Sequence, residues 1–189
     1  MIAFVEGKVA QVYPHGLVLK VGDIGLFLRV PLSLVSSIQA GLPLRLHTVL
    51  ILPREEGEPV LYGFREEEEK KLFLNLLRVP RLGPQRALHI LSTFSVEQFL
   101  QLLQAEDIEA LSRVRGIGKK LAQQVLLELK PLLKQHVIAV RTAAYGEAYE
   151  ALLALGLTAQ EAHHRLAKAL QLDPSANAIT LIQLALKSS

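Results

Sequence analysis

Val114-Arg115-Gly116-Ile117-Gly118-Lys119-Lys120 stands between two helical patterns and is followed by Leu121, Ala122 and Val125. A glycine, apolar, glycine turn that opens a helix has a physical use. The glycines let the backbone turn tightly and let a phosphate approach, while the helix start offers unpaired N–H groups and the positive end of its dipole. Lys119 and Lys120 add charge. Contacts of this kind grip the sugar-phosphate backbone without reading bases, so binding is sequence-independent and salt-sensitive. The same residues also fit a structural turn, a glycine cap followed by a basic helix start. A second, altered copy, Val79-Pro80-Arg81-Leu82-Gly83-Pro84-Gln85-Arg86, again lies between helical patterns, with Gly83 35 residues before Gly118. Arg81 replaces its first glycine. Pro84 suits a first helical position but removes one amide donor, which leaves this hairpin leaning on Arg81 and Arg86. Two such hairpins in tandem can hold phosphates on both sides of a duplex groove.

Other chemistries find little support. The chain of 189 residues has no cysteine, which excludes disulfides, a thiolate nucleophile and Cys-ligated zinc or iron-sulfur sites. Gly116 to Lys120 is not a phosphate-binding loop of the ATPase kind, because the four-residue spacer, the preceding strand and a Ser or Thr after the lysine are missing. His163 and His164 are adjacent and do not share a helix face, and His15, His47, His89 and His136 have no ligand spacing. No catalytic residue, metal or cofactor is expected. The charge balance, 21 Lys and Arg against 18 Asp and Glu, is only faintly basic. Its distribution says more: residues 64 to 136 hold 12 basic and 9 acidic side chains, whereas the flanking stretches are balanced. Mean hydropathy of +0.30 is high for a solvated monomer, which points to apolar surface buried against partners. No stretch reads as a signal peptide or membrane helix, so a cytoplasmic chain is expected.

The elements that must position the hairpins are legible from period and punctuation. Residues 1 to 64 alternate apolar with polar or run in short β-branched stretches broken by Pro14-His15-Gly16, Gly22-Asp23, Gly25, Gly41 and Gly57-Glu58-Pro59. This texture predicts five strands near 2–12, 16–21, 24–30, 44–52 and 59–64, with a helical turn near Leu32 to Ile38, and so a small barrel of the OB type. From Arg65 the period becomes about 3.6. Glu66 to Glu69 open a first helix, Ser95 with Gln98 forms a capping box, Asp107 caps a short helix, and 118–133 reads as one longer helix. An all-helical domain of about five helices over 65–134 is expected. The pattern weakens between Pro131 and Glu147, so 135–146 reads as a flexible linker. Three helices are expected over 147–189: one stopped by Gly156, one capped by Thr158 with Glu161, and one opened by Asp173-Pro174. The predicted fold class is thus α+β, an OB-like barrel, a tandem-hairpin domain and a small three-helix module.

The tandem resembles helix-hairpin-helix DNA-binding domains. The order of barrel, paired hairpins, linker and small module is similar to the RuvA family of Holliday-junction-binding subunits of bacterial branch migration. Matching stretches include Met1 to Gly7, Leu61-Tyr62-Gly63-Phe64 and Leu126-Leu127-Glu128-Leu129-Lys130. The resemblance implies a homotetramer, or an octamer with two tetramers on one junction. DNA contacts would fall to Arg81, Leu82, Gly83, Gln85, Arg86, Gly116, Ile117, Gly118, Lys119 and Lys120. Glu55 and Glu56 would form an acidic pin at the crossover, where carboxylates repel phosphates and disfavour continuous duplex. Without the resemblance they read as an ordinary acidic hairpin tip. The small module would bind RuvB, the hexameric motor ATPase, through Leu152, Leu155, Leu157 and Leu186, and RuvC, the junction resolvase, is a further implied partner. Taken alone, those leucines read as the core of three small helices. The chain departs from the family pattern at Pro80, Arg81, Gln85 and Arg115, which favours the second hairpin as the stronger grip.

Three readings stay open at this level. A helix-hairpin-helix glycosylase would place a catalytic Asp or Lys shortly beyond the hairpin, and Gln123 to Lys130 offers no such segment. A general duplex-binding scaffold would use the same hairpins without junction selectivity. A protein-only adaptor would use the glycine turns as caps and show no salt-dependent DNA affinity.

Overall fold

The computed structural model describes residues 2–52, 57–173 and 176–187, with side chains described outside 134–142. Its contacts separate two compact units, Met1–Lys130 and Pro131–Ser189. The chain is α+β.

In the first unit β1 (Phe4–Tyr13), β2 (Gly16–Val21), β3 (Ile24–Leu28), β4 (Pro43–Ile51) and β5 (Val60–Phe64) form one antiparallel sheet in the order β3-β2-β1-β4-β5. β1 pairs with both β2 and β4, and a register shift between Val9 and Gln11 bends it as it passes from one partner to the other. The sheet curls until its ends meet. Arg29 N–H donates to the Leu61 carbonyl at 2.9 Å and Gly63 N–H to the Arg29 carbonyl at 2.9 Å, so the end of β3 is stitched to β5. A barrel of the expected OB type results. Alternation places Val5, Val9, Leu17, Leu19, Leu28 and Leu46 inside it, and the short helix α1 (Leu32–Val35) covers one end with Leu34.

Close packing is tightest at Gly7, where an added Cβ would lie 2.1 Å from the Lys20 carbonyl oxygen. That neighbour is backbone and cannot swing away. Gly7→Ala is therefore expected to destabilise the barrel by about 1–3 kcal/mol, measured as a lower midpoint in urea unfolding.

The helical part begins where the barrel ends. Glu66 caps α2 (Glu67–Leu76), and the Glu69 carboxylate accepts N–H bonds from Arg65 at 2.9 Å and Glu66 at 3.2 Å. Phe73 of α2 packs on Tyr62 and Phe64 of β5 with ring centroids 5.1 and 4.8 Å apart, which fixes the helices to the barrel. A second tie is Leu32 N–H to the Ser92 hydroxyl, 2.8 Å, on α3 (Pro84–Thr93). α4 (Val96–Ala105) starts on the Ser95 and Gln98 capping box, and α5 (Ile108–Ser112) on the Asp107 carboxylate. α6 runs over Lys119–Ala154 with Pro131 inside it. The helices read separately at 118–133 and from 147 are thus one, and backbone 135–146 is helical. Pro131 lacks the N–H that would bond the Leu127 carbonyl, which weakens the ladder where the two units divide.

The second unit packs the end of α6 with α7 (Ala159–Leu172) and α8 (Ala178–Lys187). α7 opens on the Thr158 and Glu161 capping box. The start of α8 differs from expectation. It is capped four residues later than Asp173, by Asn177, whose side-chain oxygen accepts the Thr180 N–H at 2.9 Å. Its core is small: Leu152, Leu166 and Leu181 among alanines 148, 162, 169 and 185, all fully buried.

Candidate nucleic-acid interface

Each hairpin is a helix end, a four-residue turn and a helix start. In the first, α2 closes at Leu76, the Leu82 N–H donates to the Val79 carbonyl at 3.1 Å, and Gly83 precedes α3. In the second, α5 closes at Ser112, the Ile117 N–H donates to the Val114 carbonyl at 3.0 Å, and Gly118 precedes α6. The apolar residues at either end of each turn, Val79 with Leu82 and Val114 with Ile117, are buried and pin it to the core. Leu82 and Ile117 therefore serve the site by anchoring it, not by offering side chains.

The third residue of both turns is left-handed, Arg81 at φ 66° and Gly116 at φ 83°. The altered copy thus keeps the backbone of the intact one. Glycine holds this conformation without penalty, whereas another residue pays about 1–2 kcal/mol, a cost met here with help from neighbours. Arg86 supplies some of it, donating from Nη1 to the Arg81 carbonyl at 2.6 Å.

Helix starts supply the amides. The first intrahelical bonds reach back from Ala122 to the Gly118 carbonyl and from Ala87 to the Gly83 carbonyl, 2.9 and 3.1 Å. Lys119, Lys120 and Leu121 in one helix, and Gln85 and Arg86 in the other, have no intrahelical acceptor for their N–H groups. Pro84 contributes none. The second hairpin accordingly presents more donors, as its sequence suggested.

The two hairpins face one open cleft lined by Arg81, Arg86, Gly116, Gly118, Lys120, Leu121 and Gln124. Arg81, Gln85, Arg86, Lys119 and Lys120 are exposed. Lys119 is engaged with Glu109 at 3.0 Å, while Lys120 makes no ion pair among the described residues. Backbone N–H groups, guanidinium forks and an ammonium converging on one cleft suit a phosphate backbone. Two contributors escaped the sequence reading. Gln124 lines the cleft one turn beyond Lys120, and His89 Nδ1 lies 3.0 Å from the Arg115 carbonyl. Their spacing, three to four residues from Arg86 and Lys120, was the available signal.

The other expected sites fare differently. Glu55 and Glu56 lie outside the described residues. Leu155 and Leu186 are exposed, at 61% and 43%. Leu157 packs against the module core, and Leu152 is wholly inside it. Leu152 does not reach the surface, because its place on α6 packs it into the module core with residues of α7 and α8. Leu152→Ala is expected to cost about 2–5 kcal/mol, enough to melt so small a module, seen as loss of α7 and α8 amide protection from hydrogen exchange. No helix among the described residues is long and apolar enough to cross a membrane.

Comparison with known proteins matches this arrangement segment by segment. Residues 1–63 match the RuvA N terminal domain, 73–131 the SAM-like helix-hairpin-helix tandem, and 143–189 the RuvA C-terminal domain. A relative from Thermus thermophilus is 36% identical over 99% of this chain and 98% of its own length. One from Thermodesulfovibrio yellowstonii is 36% identical, covering 89% and 87%, and one from Stutzerimonas stutzeri is 35% identical, covering 86% and 87%. Each of the three is named Holliday junction branch migration complex subunit RuvA. With the barrel, the paired hairpins and the three-helix module all accounted for, the chain belongs to the RuvA family.

Proposed function

We propose that this chain binds four-way DNA junctions as the non-catalytic DNA-binding subunit of a branch-migration complex. The observation that carries the reading is the repetition of one turn geometry at Arg81 and Gly116, each opening a helix onto the same cleft. Paired hairpins hold phosphates on either side of one duplex arm without reading its sequence. Four copies in a homotetramer would hold four arms, and a second tetramer could close on the opposite face. At the crossover, Glu55 and Glu56 act as the pin: their charge repels the strands that would otherwise run straight through. The hairpins supply affinity and the pin supplies selectivity.

The second unit recruits the motor. Leu155 and Leu186 offer exposed apolar surface to a RuvB hexamer, and 135–146 is the connection through which the module reaches it while the first unit stays on DNA. RuvC binds the same open junction to resolve it. ATP hydrolysis belongs to the motor, since the hairpins hold no nucleotide-binding loop. Replacing Leu155 and Leu186 together by Asp is expected to leave junction binding within about twofold and the module folded, because exposed sites cost little. The same change should abolish stimulation of RuvB.

The test of the whole is a strand-separation assay with RuvB, ATP and a junction of homologous arms. Products that require both this chain and the motor are expected. Motor activity unchanged by the chain would overturn the reading.

A further inference from the structure

We infer that Arg86 and His89 are positioning residues that lock the two hairpins into one clamp, an inference that rests on the phosphate-gripping role proposed for those hairpins. Both lie on α3, three residues apart and so on one face; Arg86 bonds to the turn that opens its own helix and also lies beside the second turn, and His89 reaches the second. Arg86 donates to the Arg81 carbonyl at 2.6 Å, inside the first turn. Its Nε and Cγ lie 3.6 Å from where a Cβ on Gly116 would stand, in the second turn. His89 Nδ1 meets the Arg115 carbonyl at 3.0 Å, one residue before Gly116. The two left-handed residues, 35 positions apart in the chain, are therefore bracketed by one helix face.

The guanidinium suits this task for a geometric reason. A planar fork can hold the Arg81 carbonyl through a terminal nitrogen while its Nε stays beside Gly116, whereas a lysine has no nitrogen at the Nε position and a single ammonium cannot do both. The arrangement also answers a local need. Arg81 occupies a conformation that glycine would hold freely, and a charge-assisted bond to its own carbonyl steadies that turn. Two grips held at fixed separation act on one duplex arm as a single bivalent site, because the second contact forms without a further loss of freedom. If they were loosely coupled, each would bind alone and weakly. Arg86 thus contributes chiefly by geometry, and its charge is secondary.

Charge and geometry can be separated with Arg86→Lys, which keeps the cation and loses the fork. Junction and duplex affinities are measured over a salt series for the natural chain, R86K, R81G and the double variant R81G/R86K. Expected for R86K is a loss of about tenfold, the scale of one charged hydrogen bond, with the slope of log affinity against log salt unchanged. In the R81G background the first turn no longer needs steadying, so R86K should then cost about threefold or less. Hydrogen exchange of the Leu82 and Ile117 amides, which close the two turns, should quicken in R86K without DNA present. Affinity equal to the natural chain would overturn the brace, as would a shallower slope, which marks a lost phosphate contact, or the same loss with Gly at 81. Failure of the natural chain to bind DNA at low salt would instead defeat the phosphate role of the hairpins. The exchange rates would still test the brace in that event.

Discussion

Replacing Lys120 by Ala is expected to weaken binding to junction and linear duplex alike by about tenfold, the scale of one charge-assisted contact. The slope of log affinity against log salt should fall in magnitude by about 0.9, one phosphate contact on B-form DNA. Lys119→Ala should cost less. Its ammonium is already shared with the Glu109 carboxylate at 3.0 Å, in a pair that is about 70% exposed on both sides and so weak by itself. A lysine that must leave or share a partner yields less to a phosphate than one without such a tie. The converse follows: Glu109→Gln should strengthen binding to both DNAs slightly, by releasing Lys119 and removing a negative charge near the backbone. Anisotropy titrations from low to moderate salt measure all three variants. An unchanged slope in K120A would mean that the second hairpin does not face DNA.

Neutralising Glu55 and Glu56 together is expected to act on selectivity. Placed at the crossover as proposed, these carboxylates would repel phosphate and disfavour continuous duplex more than an open junction, whose strands turn away from the centre. Glu55→Gln with Glu56→Gln should therefore raise duplex affinity by about tenfold, as removal of two unit charges near a phosphate pair commonly contributes about 1–2 kcal/mol at moderate salt. Junction affinity should change by less. The ratio of the two, taken from parallel titrations, is the quantity to read. A fixed ratio would return the pair to an ordinary hairpin tip.

How much of this was legible beforehand follows from which signals are local. The barrel strands, the Ser95, Asp107 and Thr158 caps and both glycine hairpins were readable because each depends on residues a few positions apart. Period two, side-chain capping and the need for a left-handed residue all write themselves into short stretches. The start of α8 differs because Asp173-Pro174 and Asn177 are both good openers by sequence, and it is the Asn177 side chain that takes the Thr180 N–H. Among the apolar patch leucines, local pattern could not tell Leu152 from Leu155: both lie near the end of α6, and only packing against α7 and α8 buries one and exposes the other. The bracing by Arg86 and His89 was illegible for the same reason. Nothing in α3 announces that its side chains reach the Arg115 carbonyl, 26 residues on. The altered first hairpin is the instructive case: its sequence looks like a damaged copy, yet Arg81 takes up the glycine conformation and the turn survives.

The central claim, that this chain selects a four-way junction by structure, is most directly tested by gel-shift titration on an immobile junction with excess linear duplex of the same arm sequences as competitor. Discrete junction complexes that survive the competitor are the expected result. Equal loss of binding to both DNAs would contradict it, leaving a duplex-binding scaffold whose hairpins grip any arm they meet.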